Sequence, residues 1–149
     1  SGALFLAIGV IYERTHTRDI NKLGDFATTM PKYSVFLMFF TLGSIGLPGT
    51  SGFIGEVLVL LGSWKVNPLV AIISGLSLIL GAIYMLRFYR KISFGLSENQ
   101  DKYEIHDVNM REFTILIPLT IFIILFGIFP NIVLNFLKVP HFLILETFK

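Results

Sequence analysis

Glu56 is the residue of this sequence best placed to do chemistry. It is the only acidic side chain of a long apolar region, and it follows directly on the run Gly46-Leu47-Pro48-Gly49-Thr50-Ser51-Gly52-Phe53-Ile54-Gly55. A carboxyl group whose charged and neutral forms lie close in energy can take up and release a proton. The run before it is built to interrupt a helix. Pro48 has no N–H to give to the preceding turn, and the glycines relax the backbone around it. Backbone freed in hydrocarbon must be buried in protein or line a wet cavity, and an ionisable group beside a broken helix marks an ion or substrate path. The six residues Gly46, Pro48, Gly49, Thr50, Ser51 and Gly52 are therefore read as the break, with Glu56 as a proton-relay carboxylate just beyond it. The competing reading is a soluble helix-turn-helix with Glu56 in water.

The remaining candidates are weaker. His16, His106 and His141 share no metal-ligand spacing, and the chain has no Cys for a disulfide, an iron–sulfur cluster or a Cys zinc site. No glycine-rich phosphate loop follows a strand, and no basic-aromatic module for nucleic acid is present. Glu98, Asp101, Glu104 and Asp107 fall in a polar connector and read as solvated. Ser74, Ser77, Gly81 and Tyr84 recur at three- and four-residue steps, which places them on one helix face. Such a face lines a hydrated path or, more commonly, packs closely on another membrane helix.

The elements that must position these groups are membrane helices. Of 149 residues, 54% are hydrophobic and only 15% charged, with mean hydropathy +0.74; a soluble domain has about a quarter of its residues charged. The net charge of +2 gives no case for a polyanionic partner. The apolar runs predict an all-α integral membrane protein with about four transmembrane helices. These cover 1–13, 32–64 broken near 46–52, 69–91 and 112–130, and an apolar tail follows over 131–149. The first run begins at once, and ten apolar residues reach only about 15 Å, half a bilayer, so the first helix reads as cut. Each half of the broken helix is also too short to cross alone. If the two halves make one crossing, Arg14, Arg18, Lys22, Lys32, Arg87, Arg90, Lys91, Lys102 and Arg111 share one side, and Lys65, Lys138 and Lys149 the other. A re-entrant pair of half-helices would divide the same cations far more evenly. The positive-inside rule favours the single crossing.

Leu47-Pro48-Gly49-Thr50-Ser51-Gly52-Phe53-Ile54-Gly55-Glu56 resembles the signature of the chain 4 family of respiratory NADH–quinone oxidoreductase, complex I, one of its antiporter-like membrane subunits. Three further stretches agree. They are Ser1-Gly2-Ala3-Leu4-Phe5 with Gly9, Tyr12, Arg14 and Thr17-Arg18; Ala82-Ile83-Tyr84-Met85-Leu86 to Phe94-Gly95; and Arg111-Glu112 opening the last span. At Leu23-Gly24-Asp25-Phe26 the chain departs from the family's usual Gly-Gly-Leu.

The resemblance implies the C-terminal part of a 14-helix antiporter-like bundle, with helix 12 as the discontinuous one. It implies a proton-translocating component of complex I with no redox chemistry of its own, and with NADH, FMN, iron–sulfur clusters and quinone elsewhere in the complex. Of the family's central charged residues, only the helix-12 carboxylate carries over, as Glu56. The partners implied are the N-terminal part of the same subunit, neighbouring antiporter-like subunits and lipid. The expected location is the mitochondrial inner membrane, with a bacterial inner membrane as the alternative. Two other functions remain open on the residues alone: a subunit of a multi-subunit cation/proton antiporter, and a structural fragment that completes a helix bundle.

Overall fold

The computed structural model describes residues 2–95 and 106–135, and every regular element among them is helical. In chain order these are α1 (Gly2–Thr15), a single 3-10 turn (Ile20–Lys22), α2 (Phe26–Thr29), α3 (Pro31–Ile45), α4 (Ser51–Val66), α5 (Pro68–Phe94) and α6 (Met110–Ile128), with a further helical stretch over 131–135. Residues 96–105 and 136–149 lie outside the described part. Glu98, Asp101, Glu104 and His141 fall there.

Helix starts are marked by local chemistry. Pro31 and Pro68 occupy the first turns of α3 and α5, where a missing N–H removes no intrahelical bond. The Asn67 side chain accepts from the amides of Leu69 and Val70 at 3.0 and 3.4 Å and so caps α5. At the start of α6 the Glu112 carboxylate reaches back to the Asn109 amide at 2.8 Å. The first amides of α3 find a partner far away in sequence: Asp107 accepts from Lys32 and Tyr33 at 3.1 and 3.2 Å. Asp107 is thus half-buried and engaged, where the sequence suggested a solvated carboxylate. Its job is to supply the cap that Met30 lacks.

The order of contacts defines the bundle. The Ser34 hydroxyl near the start of α3 meets Ser93 at 3.1 Å and Tyr89 at 3.3 Å, both near the end of α5. At the other end of α5, Ala71, Ile72 and Gly75 close on Leu60, Leu61 and Trp64 of α4. So α5 runs antiparallel to α4 and then to α3, alongside both halves in turn. The Tyr33 hydroxyl donates to the Ala7 carbonyl at 2.9 Å, which ties α3 to antiparallel α1. Phe113 packs edge-on against Phe36, so α6 runs parallel to α3. The helix is continuous through Pro118.

The core lies where α1, α3, the end of α5 and the start of α6 meet. Ala3, Ala7 and Ile11 form a four-residue-spaced stripe on α1, and they pack with Phe26, Met30, Tyr33, Leu37, Phe40, Ile92 and Leu116. Helix α4 has no fully buried residue, and Val59, Leu61, Trp64 and Val66 all stay exposed. Among the described residues two helices, α5 and α6, are individually long and apolar enough to cross a membrane. The count of four spans read from sequence exceeds this, because α1, α3 and α4 have 14, 15 and 16 residues and each falls short of the roughly 20 that a crossing needs.

One end of the bundle is basic. The end of α1, the start of α3, the end of α5 and the start of α6 converge there, carrying Arg14, Lys32, Arg87, Arg90, Lys91 and Arg111. Arg14 is the fastener. Its guanidinium forks onto the Glu112 carboxylate at 2.9 and 2.7 Å, with side chains only 12% and 14% exposed. It also donates to the carbonyls of Val10, His106 and Asp107 at 2.9, 2.8 and 3.3 Å. Such a fork exploits the planar geometry of arginine. We expect Arg14→Gln to strand a nearly buried carboxylate and the His106 and Asp107 carbonyls, at about 3 kcal/mol. Native-gel quantification should show much less assembled protein, and Arg14→Lys, which keeps the charge without the fork, should fall in between. Wild-type levels of the Gln variant would show the fastener to be redundant.

Candidate functional site

The break is made by two left-handed glycines. Gly46 closes α3 at φ +81, and both it and Leu47 donate their amides to the Leu42 carbonyl. This is the geometry in which a helix folds its last carbonyl groups back on themselves. Gly49 follows at φ +95, and Thr50 returns the chain to extended backbone just before α4. Pro48, between the two glycines, cannot extend the helix.

Thr50 holds the N-cap position of α4 but does not cap it. Its amide and its hydroxyl both donate to the Leu47 carbonyl, at 3.0 and 2.7 Å. The side chain therefore locks the turn rather than the helix, and its oxygen accepts no hydrogen bond from the first-turn amides of α4. Ser51 opens α4 half-buried.

Two glycines, Gly52 and Gly127, let three backbones meet at this level. A Cβ added at Gly52 would strike the Gly43 carbonyl group, with the Gly46 Cα at 3.7 Å, so α4 begins pressed against the end of α3. A Cβ at Gly127 of α6 would lie 2.6 Å from the Gly49 carbonyl carbon and 2.5 Å from that of Thr50. A Cβ at Gly43 itself would touch Ile123 of α6 at 3.5 Å. Small residues at helix crossings permit this approach in membranes. The sequence reading passed over Gly43 and Gly127, although a lone glycine inside each apolar span was a usable signal. Beside the crossing, Ala3, Phe40, Gly43, Ser44, Ser51 and Gly52 line a cavity of about 220 Å³, which is room for several water molecules.

Glu56 lies in the second turn of α4, half-buried. Its side chain folds back over the break. A Cβ at Gly46 would fall 2.7 Å from the Glu56 carboxyl carbon and 3.1 Å from its Oε1, so the carboxylate occupies the space that the missing side chain of Gly46 leaves. Among the described residues it has no hydrogen-bond or ion-pair partner. The structure thus brings Glu56 against Gly46, and Gly52 against Gly43 and Gly46, while Gly49 and Thr50 face Gly127 of α6. It places the other candidates elsewhere. Ser74 is half-buried on α5, whereas Ser77 and Tyr84 are exposed; the Ser77 hydroxyl donates to the Ser74 carbonyl of its own helix.

Comparison with known proteins now bears on this geometry. The family model described as NADH:quinone oxidoreductase/Mrp antiporter, TM, matches residues 1–83, which include the whole break and Glu56. NADH-quinone oxidoreductase subunit M of Rickettsia bellii is 46% identical over 135 residues, covering 91% of this chain and 27% of that protein. NADH-ubiquinone oxidoreductase chain 4 of Chondrus crispus is 44% identical over 142 residues, covering 95% and 28%. Among solved structures, respiratory complex I from Thermus thermophilus with bound NADH contains a chain that superposes with TM-score 0.76 at 33% identity, over 85% of this chain and 26% of that one. The chain spans little more than a quarter of the length of these relatives. With the match extending over more than half of its residues, the chain belongs to the NADH:quinone oxidoreductase/Mrp antiporter membrane family.

Proposed function

We propose that this chain is the C-terminal part of the chain 4 (subunit M) component of complex I and carries one carboxylate of its proton path. The observation that carries the reading is Glu56, which leans on Gly46 at a left-handed helix break with no partner among the described residues. A half-buried carboxyl group in that position accepts a proton from one side of the break and releases it to the other through ordered water. The backbone groups around Gly46 to Thr50 and the hydroxyls of Ser44 and Ser51 are the polar surface available to hold that water. Oxidation of NADH by quinone, with its FMN and iron–sulfur clusters, belongs to other parts of the complex; this chain has no cysteine with which to bind a cluster. Its partners are the N-terminal part of the same subunit and the adjoining antiporter-like subunits, which cover the exposed apolar faces of α4 and α5.

The test is co-purification. A tag on this chain in gently solubilised membranes should recover an assembly that oxidises NADH with quinone. Recovery of a cation/proton antiporter with no NADH oxidation would overturn the assignment, and so would recovery of the chain in a helix bundle without transport activity.

In this reading α3 and α4 form one interrupted crossing, because α5 lies alongside both in succession. The basic end faces the matrix or cytoplasm. With no native Cys, Ile20→Cys ahead of α3 and Val66→Cys beyond α4 can be labelled cleanly; both positions are exposed. We expect an impermeant maleimide to reach the two from opposite sides of the membrane. Reaction of both from one side would replace the single crossing with a re-entrant pair.

A further inference from the structure

The break is backed by a helix that takes no part in it. Gly127 is buried in the last turn of α6 and lies directly behind the turn that joins α3 to α4. A Cβ at Gly127 would strike the Gly49 carbonyl oxygen, and it would lie 2.6 and 2.5 Å from the carbonyl carbons of Gly49 and Thr50. Carbon atoms prefer about 3.5–4.0 Å. The obstacle is main chain, unlike the flexible carboxyl group that a Cβ at Gly46 would meet. A methyl group at position 127 therefore requires α6 or the turn to move by about 1 Å.

The helix is the better anchored of the two. The fork of Arg14 on Glu112 holds the start of α6, and Phe113 meets Phe36 of α3 edge-on. Leu116 is buried in the core. Ile123, about one turn before Gly127, packs on the Gly43 position of α3. The turn has free space on its other side, where Leu47, Pro48 and Gly49 are exposed. It is also bonded to itself. The amide and the hydroxyl of Thr50 both donate to the Leu47 carbonyl, and the amides of Gly46 and Leu47 both donate to the Leu42 carbonyl. A push on the Gly49–Thr50 peptide is thus passed through Leu47 to Gly46, and Gly46 is the seat of the Glu56 carboxyl group.

We propose that Gly127 is a positioning residue for Glu56. By presenting no side chain, it lets α6 back directly onto the Gly49–Thr50 peptide, and the bonds from Thr50 to Leu47 carry that support to the place where Gly46 meets the carboxyl group. Gly127 touches neither the carboxyl group nor its proton and acts only through the turn. The inference rests on the proton-relay reading of Glu56 and adds a residue from a separate helix to it. A displacement of about 1 Å in a reacting group costs up to 10²-fold in rate, so a single methyl group at position 127 is enough to reveal the role.

The test compares the intact complex carrying Gly127→Ala with one carrying Glu56→Gln. Two quantities are read on the assembled complex. One is the proton-to-electron ratio in sealed vesicles. The other is the infrared difference band of the Glu56 carboxyl group, identified as the band missing from Glu56→Gln. We expect Gly127→Ala to oxidise NADH normally in uncoupled membranes, to shift that band, and to lose most of the pumping that Glu56→Gln loses. A glycine needed only for packing would lower the amount of complex and leave both quantities unchanged in what remains, which would sink the proposal. If the added methyl group prevents assembly, the turn is loosened instead of pushed. Thr50→Ala inserts nothing and removes the hydroxyl bond to Leu47, so it should shift the same band and lower pumping; Thr50→Ser restores the hydroxyl and should recover both. An unshifted band in Thr50→Ala would show that the turn transmits nothing, and lost pumping in Gly127→Ala with an unshifted band would show that α6 acts by another route. Either result rejects Gly127 as a positioning residue. Wild-type pumping in Gly127→Ala beside a defective Glu56→Gln rejects it too, and leaves the relay standing. Wild-type pumping in Glu56→Gln fails the relay itself and this inference with it.

Discussion

Glu56→Gln is expected to leave the complex assembled, with normal NADH oxidation by uncoupled membranes, and to lose most of the proton pumping driven by it. The substitution keeps size and hydrogen-bonding capacity while removing titration. Nothing in the local packing demands a charge, since the carboxylate has no ion-pair partner among the described residues and rests against the Cα of a glycine. A positioned acid or base contributes about 10²-fold or more to a proton transfer, so removing it should bring flux through the break close to background. Glu56→Asp keeps the proton but retracts it by about one bond length from the Gly46 notch, and should retain part of the activity. The measurement is the proton-to-electron ratio in sealed vesicles, with assembly followed on native gels. A Gln variant that assembles and pumps at the wild-type ratio would leave Glu56 as a packing residue. A Gln variant that fails to assemble would make it a structural ion-pair partner for some base outside this chain.

The break was legible because its chemistry is local. Pro48, the spaced glycines and the single carboxylate announce an interruption to anyone who assumes hydrocarbon around them. The basic end was legible for a similar reason: Arg and Lys cluster beside helix ends, and the ends converge. What stayed hidden was every feature that depends on distant residues meeting. Asp107 looked like one more acid in a polar connector, yet it caps α3 across 74 residues of sequence. Glu112 showed as a helix opener, but its fork with Arg14 spans 98. Thr50 holds the N-cap position of α4 yet turns its hydroxyl back to Leu47, because the tight turn through Pro48 and Gly49 brings that carbonyl close. Asp25 adopts φ +58, a left-handed conformation that Asp tolerates better than most residues. The face of Ser77 and Tyr84 could not be assigned from periodicity alone, since helical spacing shows which residues share a side but not what lies opposite.

Gly46→Ala and Gly49→Ala form a matched pair that separates backbone strain from the placement of the carboxylate. Both glycines have positive φ, +81 and +95, so alanine at either position incurs the left-handed penalty of about 1–2 kcal/mol. Their surroundings differ. A methyl group at Gly49 meets nothing within 4 Å, whereas one at Gly46 would sit 2.7 Å from the Glu56 carboxyl carbon. Carbon atoms prefer about 3.5–4.0 Å, so the carboxyl group must retreat by about 1 Å. It can do so at little energetic expense, being the end of a flexible side chain, and the fold should therefore survive both substitutions with similar losses of thermal stability. Function should not follow stability. A displacement of about 1 Å in a reacting group can cost 10²-fold, so Gly46→Ala should pump far less per NADH than Gly49→Ala, and the latter should stay near wild type. The ratio of proton translocation to NADH oxidation, read beside the melting temperature of each purified complex, makes the comparison. Equal pumping by the two variants would mean that the seat of Glu56 against Gly46 has no part in the transfer. A much larger stability loss in Gly46→Ala would mean that the carboxylate is held there by a partner strong enough to resist being moved.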